Sequence, residues 1–308
     1  MPRTGNKWER RISRARELAG RYPFATEILT FYSKLAAFQQ GLYSRLESNL
    51  AATPANARNG HLSRELTPHE LGSLVPQFGP FLSFLTLEGT PVLAGFARGL
   101  ENADSSEWAR LLAWFWERNE REGREFGISN EIPGELTPQN TGAHSAQVDS
   151  RLRGNDNDWK LSRFVALAFL RPYVEYLAGR ADTPPPVVRR PVCPFCGSKP
   201  LAGVLRPEGD GGKRSLVCSF CSTEWDYLRI ACPACEESRD DKVCVYVASQ
   251  LAHVRVEACE TCRAYIKTVD LTRDGLAVPE VDELAAIPLT LWAEERGYAK
   301  VCRNTLGM

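Results

Sequence analysis

The sequence predicts an α+β protein, an N-terminal all-α helical domain followed by two small tandem β domains that each close around a metal ion. Three observations predict it. Apolar residues recur at helical spacing in the first half, all ten cysteines lie beyond residue 192, and eight of them form four CxxC pairs in a unit that occurs twice. At 308 residues the chain is long enough for about two domains, since single cores stop growing at roughly 250–300 residues. A composition of 43% hydrophobic and 25% charged residues excludes wholesale disorder, fibres and a multi-span membrane protein. Thirty-eight basic residues balance 38 acidic ones, so no overall field draws the chain to nucleic acid or to an anionic bilayer.

The first residues are charged and hold no apolar h-region, which predicts that no secretory signal is present. Arg10 and Arg11 read as a solvated helix face rather than a twin-arginine export signal. The longest uncharged run, Leu71 to Leu87, contains Gly72, Pro76, Gly79 and Pro80 and falls short of the roughly 20 apolar residues that a membrane span needs. A cytoplasmic protein with reduced thiols is expected.

Past Arg21, the residues Phe24, Ile28, Phe31, Leu35, Phe38, Leu42 and Leu46 follow at steps of three and four with Pro23 just inside the start, which predicts an amphipathic helix with an aromatic-rich packing face. Between Leu66 and Leu100 glycine and proline break the apolar runs, predicting short helices joined by tight turns. Asp104-Ser105-Ser106-Glu107 opens a helix through Trp108, Leu111, Leu112, Phe115 and Trp116 that ends near Arg124, with Trp114 off its packing face. Gly127 to Asp158 is polar and aperiodic, as a long surface loop would be. The last helical stretch, Trp159 to Leu177, is expected to kink or restart at Pro172. Asp182-Thr183-Pro184-Pro185-Pro186 reads as a stiff linker closing a helical domain of residues 1–182.

Beyond the linker, Cys193/Cys196 and Cys218/Cys221 define unit one, 183–230. Cys232/Cys235 and Cys259/Cys262 define unit two, 231–308, which ends in a helix. The two pairs of a unit start 25 residues apart in unit one and 27 in unit two. A tetrahedral ion needs four soft ligands about 2.3 Å away, and one CxxC turn presents two sulfurs on one side of a bend. A hairpin between two turns brings the second to face the first, the zinc-ribbon or rubredoxin-like arrangement. Units of about 30 residues hold too little core to fold alone, so metal contributes on the order of 10 kcal/mol to their folding. The alternatives are redox CxxC turns and crossed pairing of the half-sites. Tetrahedral sulfur accepts both metals, so the ion is iron, in two rubredoxin-like sites, or zinc.

Gly197 suits a positive φ after its pair, whereas Ser222, Glu236 and Arg263 at the matching positions suit it less. Cys244, in the strand-like KVCVYVA, reads as a core residue, and Cys302 as free. His61, His69, His144 and His253 show no catalytic spacing, and His253 reads as surface or strand packing. No phosphate-cradling glycine loop or nucleophile elbow occurs, and Gly209 to Gly212 reads as a hairpin turn, so no catalytic residues are expected.

The cysteine region resembles a known family. CPFCGSKP, LVCSFCSTEWDYLRIACPAC and VEACETCRAYIKTVDL, preceded by LTFYSKLAAFQ and followed by VDELAAIPLTLWAEERGY, are similar to FdhE, the formate dehydrogenase accessory protein family, over nearly the whole chain. The most specific part is CSxCxTEWxYxRIxCxxC, with Thr223, Glu224, Trp225, Tyr227, Arg229 and Ile230 beside the cysteines; Ser222 is a departure, standing where glycine is common. The resemblance implies a cytoplasmic, non-enzymatic factor that binds the formate dehydrogenase catalytic subunit and matures it before export. It also implies one rubredoxin-like iron on Cys193, Cys196, Cys218 and Cys221, and another on Cys232, Cys235, Cys259 and Cys262. Two other readings stand beside it: an electron-transfer protein using those irons, and a zinc-ribbon nucleic-acid-binding module. The second is the weaker, because the only local basic cluster, Arg189, Arg190, Lys199, Arg206, Lys213 and Arg214, is offset by neighbouring carboxylates. No nucleic-acid partner and no membrane insertion are expected.

Overall fold

Helix α1 (Gly5–Arg21) buries one stripe, Trp8, Arg11, Ile12, Ala15 and Leu18, at steps of one and three. The structure, a computed structural model, describes residues 5–49, 66–122, 156–181, 189–209 and 211–307. At Tyr22 the chain is extended, with φ −120°, and Pro23 opens a 3₁₀ turn, Pro23–Ala25, before α2 (Thr26–Asn49). The expected packing face is present from Ile28 onward, with Leu35, Leu42 and Leu46 buried. Phe24 does not belong to it: it sits in the turn, out of the helix register, and is 50% exposed. The solvated reading of Arg10 and Arg11 holds for Arg10 alone, because Arg11 is fully buried.

Where short helices were expected, α3 (Pro68–Glu88) runs for 21 residues through Pro76 and Pro80, followed by α4 (Pro91–Glu101). Gly72, Pro76 and Pro80 lie on its exposed side, so the carbonyls of Gly72 and Pro76, left without an N–H partner, are on the side facing water. Leu74, Phe78, Phe81, Leu82 and Leu85 form the buried side. A capping box starts the helix: Thr67 accepts from the Glu70 N–H while Glu70 accepts from the Thr67 N–H at 2.7 Å.

Helix α5 (Ser105–Glu122) opens as expected, with Asp104 Oδ1 accepting from the N–H groups of Ser106 (2.8 Å) and Glu107 (3.0 Å). Half-buried Trp114 meets Trp159 edge-on at 5.1 Å. Helix α6 (Asp156–Gly179) contains Pro172 without a new helix starting there. The carbonyl that Pro172 cannot serve, that of Ala168, accepts instead from the buried Gln39 Nε2 of α2 at 2.7 Å. Of the polar stretch 127–158, residues 156–158 begin α6, and 127–155 lie outside the described residues. The expected linker from Asp182, Arg124, His61 and His144 also lie outside them.

The cysteine-bearing half forms β1 (Pro200–Glu208), β2 (Gly211–Cys218), β3 (Glu224–Asp226), β4 (Val243–Val247), β5 (Val254–Cys259), β6 (Ala264–Asp270) and β7 (Ala299–Lys300). Glu208 pairs with Gly211 across the expected hairpin, which Gly209 enters at φ 55°. The sheet order is β3-β2-β1-β6-β5-β4, with β7 beside β6. The two cysteine units therefore share one sheet, joined where β1 and β6 run parallel with Gly203 opposite Thr268. Helices α7 (Pro279–Ala285) and α8 (Ile287–Glu295) cover it. One apolar core fills the helical bundle and reaches the first cysteine set. The other lies between α1, α2, the sheet, α7 and α8, with Leu18 and Leu29 packed among Val254, Val256 and Val281. No helix among the described residues is long and apolar enough to cross a membrane.

Candidate metal centres

Cys218 ends β2 and Cys259 ends β5, so each hairpin carries its second CxxC turn back toward the first. The sulfurs of Cys193, Cys196, Cys218 and Cys221 lie within 4.8 Å of one another, with Cys196–Cys218 at 3.3 Å and Cys193–Cys221 at 3.5 Å. Those of Cys232, Cys235, Cys259 and Cys262 do the same, with Cys232–Cys262 at 3.6 Å and Cys235–Cys259 at 3.7 Å. Metal–sulfur bonds of 2.3 Å in a tetrahedron give sulfur–sulfur edges of about 3.8 Å. Both sets therefore fit one soft ion each.

The four turns share one backbone form. The residue after each second cysteine is left-handed: Gly197 at φ 77°, Ser222 at 56°, Glu236 at 59° and Arg263 at 57°. The N–H groups of Gly197, Glu236 and Arg263 donate back to the carbonyls of Cys193 (2.9 Å), Cys232 (2.8 Å) and Cys259 (2.9 Å). The expectation that the three non-glycine turns depart from the first is thus corrected. A left-handed L-residue costs about 1–2 kcal/mol, small beside what four metal–sulfur bonds contribute. Backbone N–H groups of Phe220 and Ala234 point at Cys218 and Cys232 Sγ, each at 3.4 Å.

Burial pushes the Cys193 and Cys218 thiols well above their usual range. It also raises Cys262, to about 11. Burial opposes ionisation of Cys196 as well, yet hydrogen bonds from the three neighbouring thiols pull that one well down. Thiols so close cannot all ionise against one another, and a bound cation reverses that balance by stabilising every coordinating thiolate.

The two sets differ in surroundings. All four cysteines of the first are buried, and Phe220 between them lies edge-on to Phe115 and Trp116 of α5 at 6.0 Å each. In the second, Cys235 and Cys262 are half-buried and the packing around them is small, mainly Val243 and Ala264.

One group of functional neighbours escapes the sequence reading. Ser222 Oγ, directly after Cys221, accepts from Arg11 Nη2 (3.0 Å) and Arg171 Nη2 (2.9 Å) and donates to Glu175 Oε1 at 2.7 Å. Arg11 also bonds both Glu175 oxygens, at 2.9 and 3.0 Å, and Glu280 of α7 at 2.5 Å. The second turn of the first centre is thereby tied through buried charge to α1 and α6, and by way of Arg11 to α7. Burial opposes ionisation of Glu175, but Arg11, Lys7 and Arg171 outweigh it and bring the carboxyl down to about 2. The available signal was the period of α1, which sets Arg11 between Trp8 and Ala15 on the buried stripe.

Cys244 is half-buried on the edge strand β4 rather than in the core, because β4 has a neighbour on one side only. Cys302 is half-buried and free of any disulfide. His69 is exposed. His253 is buried, its Nε2 2.8 Å from Asp282 Oδ1. With Asp274 and Asp282 it makes a third cluster of metal-ligating side chains among the described residues, but Arg14 Nη2 lies 2.6 Å from both carboxylates and already supplies the positive charge. Within the basic cluster Arg206 pairs with Glu224, Lys213 with Asp226 and the buried Arg214 with Glu257, so these three cations face carboxylates rather than a phosphate backbone.

Residues 192–229 match the family model for the central domain of FdhE, and residues 230–306 match that for its C-terminal domain. An FdhE homolog of Aquifex aeolicus is 27% identical over 96% of this chain and 94% of its own length. One of Edwardsiella ictaluri is 29% identical over 99% of this chain and 89% of its own. The crystal structure of the FdhE protein from Pseudomonas aeruginosa superposes with a TM-score of 0.62 at 23% identity, covering 99% of this chain and 97% of that one, and so has the same fold. With full-length relatives, two matched domains and a shared fold, the chain is similar to the FdhE proteins along its whole length.

Proposed function

We propose that this protein is a cytoplasmic accessory factor for formate dehydrogenase that binds the catalytic subunit of that enzyme during its maturation and catalyses no reaction of its own. Each four-cysteine set holds one ion, iron by preference and zinc as the other ion that such sulfurs accept. Residues 1–182 form the helical module, and 183–230 and 231–308 each contribute one centre. The observation that carries the reading is the first sulfur set in an FdhE-like chain: it is saturated by four cysteines, sealed by aromatic packing, and tied through Ser222 to α1 and α6. A four-coordinate site leaves no open position for a substrate, which suits a structural or electron-transferring ion rather than a Lewis acid. The test is co-purification of the formate dehydrogenase catalytic subunit with the wild-type chain and its loss in Cys193→Ser/Cys196→Ser. A wild-type chain that retains no such subunit contradicts the proposal.

The half-buried sulfurs of Cys235 and Cys262 favour a second reading, an electron-transfer protein using iron. Bound iron would supply one-electron chemistry there, and ferric thiolate is coloured. Protein made under iron-replete conditions that is colourless and loaded with zinc contradicts it.

A further inference from the structure

A groove of about 1280 Å³ lies between α2, the α3–α4 turn, the start of α6 and the C-terminal tail. Its wall includes Ser198, Lys199 and Ser219, which belong to the two turns of the first metal centre. It exceeds the roughly 300–1,000 Å³ of small-molecule pockets. Its floor is apolar, with Ile28, Phe31, Phe164 and Leu306 half-buried, and the out-of-register Phe24 stands exposed at its edge.

The polar lining is uneven. Lys34, Lys160, Arg163, Lys199, Lys300 and Arg303 face Glu27 and Glu88, six cations against two carboxylates, a surplus of four. Lys34 pairs with Glu88 inside the groove and Lys300 with Glu283 outside it, while Lys160 and Arg303 stand exposed at the rim. A concave apolar floor under a cationic rim suits neither a flat lipid surface nor a nucleic-acid backbone, whose phosphates need a continuous basic track.

We propose that this groove docks a segment of a protein partner in which a bulky apolar side chain is flanked by carboxylates. The apolar anchor occupies the floor of Phe31 and Phe164, and the carboxylates meet Lys160 and Arg303, both of them exposed at the rim. This rests on the maturation reading, which makes the partner the formate dehydrogenase catalytic subunit. Because the first-centre turns form part of the wall, an ion that fixes those turns also fixes the groove.

The experiment measures the affinity of the metal-loaded full-length chain for the isolated catalytic subunit. Lys160→Glu/Arg303→Glu is expected to weaken binding at least tenfold, with Lys160→Gln/Arg303→Gln intermediate. Charge reversal on the exposed face of α1, Arg10→Glu/Arg16→Glu, is expected to leave it within twofold. Rising salt weakens the wild type more than the neutralised variant. If the wild type binds and the reversed rim variant binds equally, the groove proposal is overturned while the maturation reading stands. If the wild type binds no subunit, both fall. If the rim variant instead dissociates a dimer of the wild type, the occupant is a second copy of this chain and the proposal is overturned.

Discussion

Ser222 sits at the meeting point of chemistry and architecture: it follows Cys221, adopts a left-handed φ, and its hydroxyl accepts from two buried guanidinium groups and donates to one carboxylate. Removing that hydroxyl leaves charged groups with unmet hydrogen bonds, so Ser222→Ala is expected to cost about 1–3 kcal/mol. Urea unfolding measures it, and an unchanged midpoint would mean that the hydroxyl is dispensable. The gathering of eight cysteines into two sets of four was legible in the sequence, because CxxC spacing is local and a close bend puts both sulfurs on one side. The shared φ of Ser222, Glu236 and Arg263 was not, since side-chain preference argues against it and the bend overrides that preference. Arg11 was hidden for a related reason, in that its burial depends on Glu175 and Glu280, which are 164 and 269 residues away.

Among the elements, two proline-bearing helices continue where local preference breaks them. In α3 the prolines face outward, and in α6 a glutamine from α2 takes the carbonyl left over. Local sequence marks a proline but not the neighbour that compensates for it. The β1–β6 seam is equally silent in sequence, because parallel pairing between the two units leaves no turn signal. Its one local trace is Gly203, where a Cβ would collide with the Thr268 side chain. Gly203→Ala is therefore expected to lose about 1–3 kcal/mol by overpacking, read by thermal unfolding; unaltered stability would mean the seam is loose. The two centres should also behave differently toward a chelator. Half-buried Cys235 and Cys262 expose the second ion, so a coloured chelator is expected to remove one equivalent quickly and the first-centre ion slowly. Release of both in one phase would contradict that asymmetry.

For the whole molecule, a balanced charge conceals buried ion pairs that hold the helical and cysteine-bearing halves together. Arg11, Glu175, Glu280 and the Ser222 turn join α1, α6 and α7 to the first centre. Glu175 and Glu280 are held below the usual carboxylate range, by Arg11 above all once the opposing effect of burial is met. A carboxyl whose pKa is lower folded than unfolded adds stability that is complete above about 4.5 and fades as pH falls toward about 2. Stability is expected to drop across that window, and Glu175→Gln, which leaves every sulfur in place, is expected to flatten part of the slope. Identical slopes for the two proteins would assign the acid sensitivity to the thiolates alone.

The most direct measurement is the metal-to-protein ratio after anaerobic purification. Two ions per chain are expected for the wild type, one for Cys196→Ser/Cys218→Ser and one for Cys235→Ser/Cys259→Ser, because each quartet acts as a unit. A wild-type chain without bound transition metal, with all eight paired thiols titratable and the cysteine-bearing half still folded, would contradict the account.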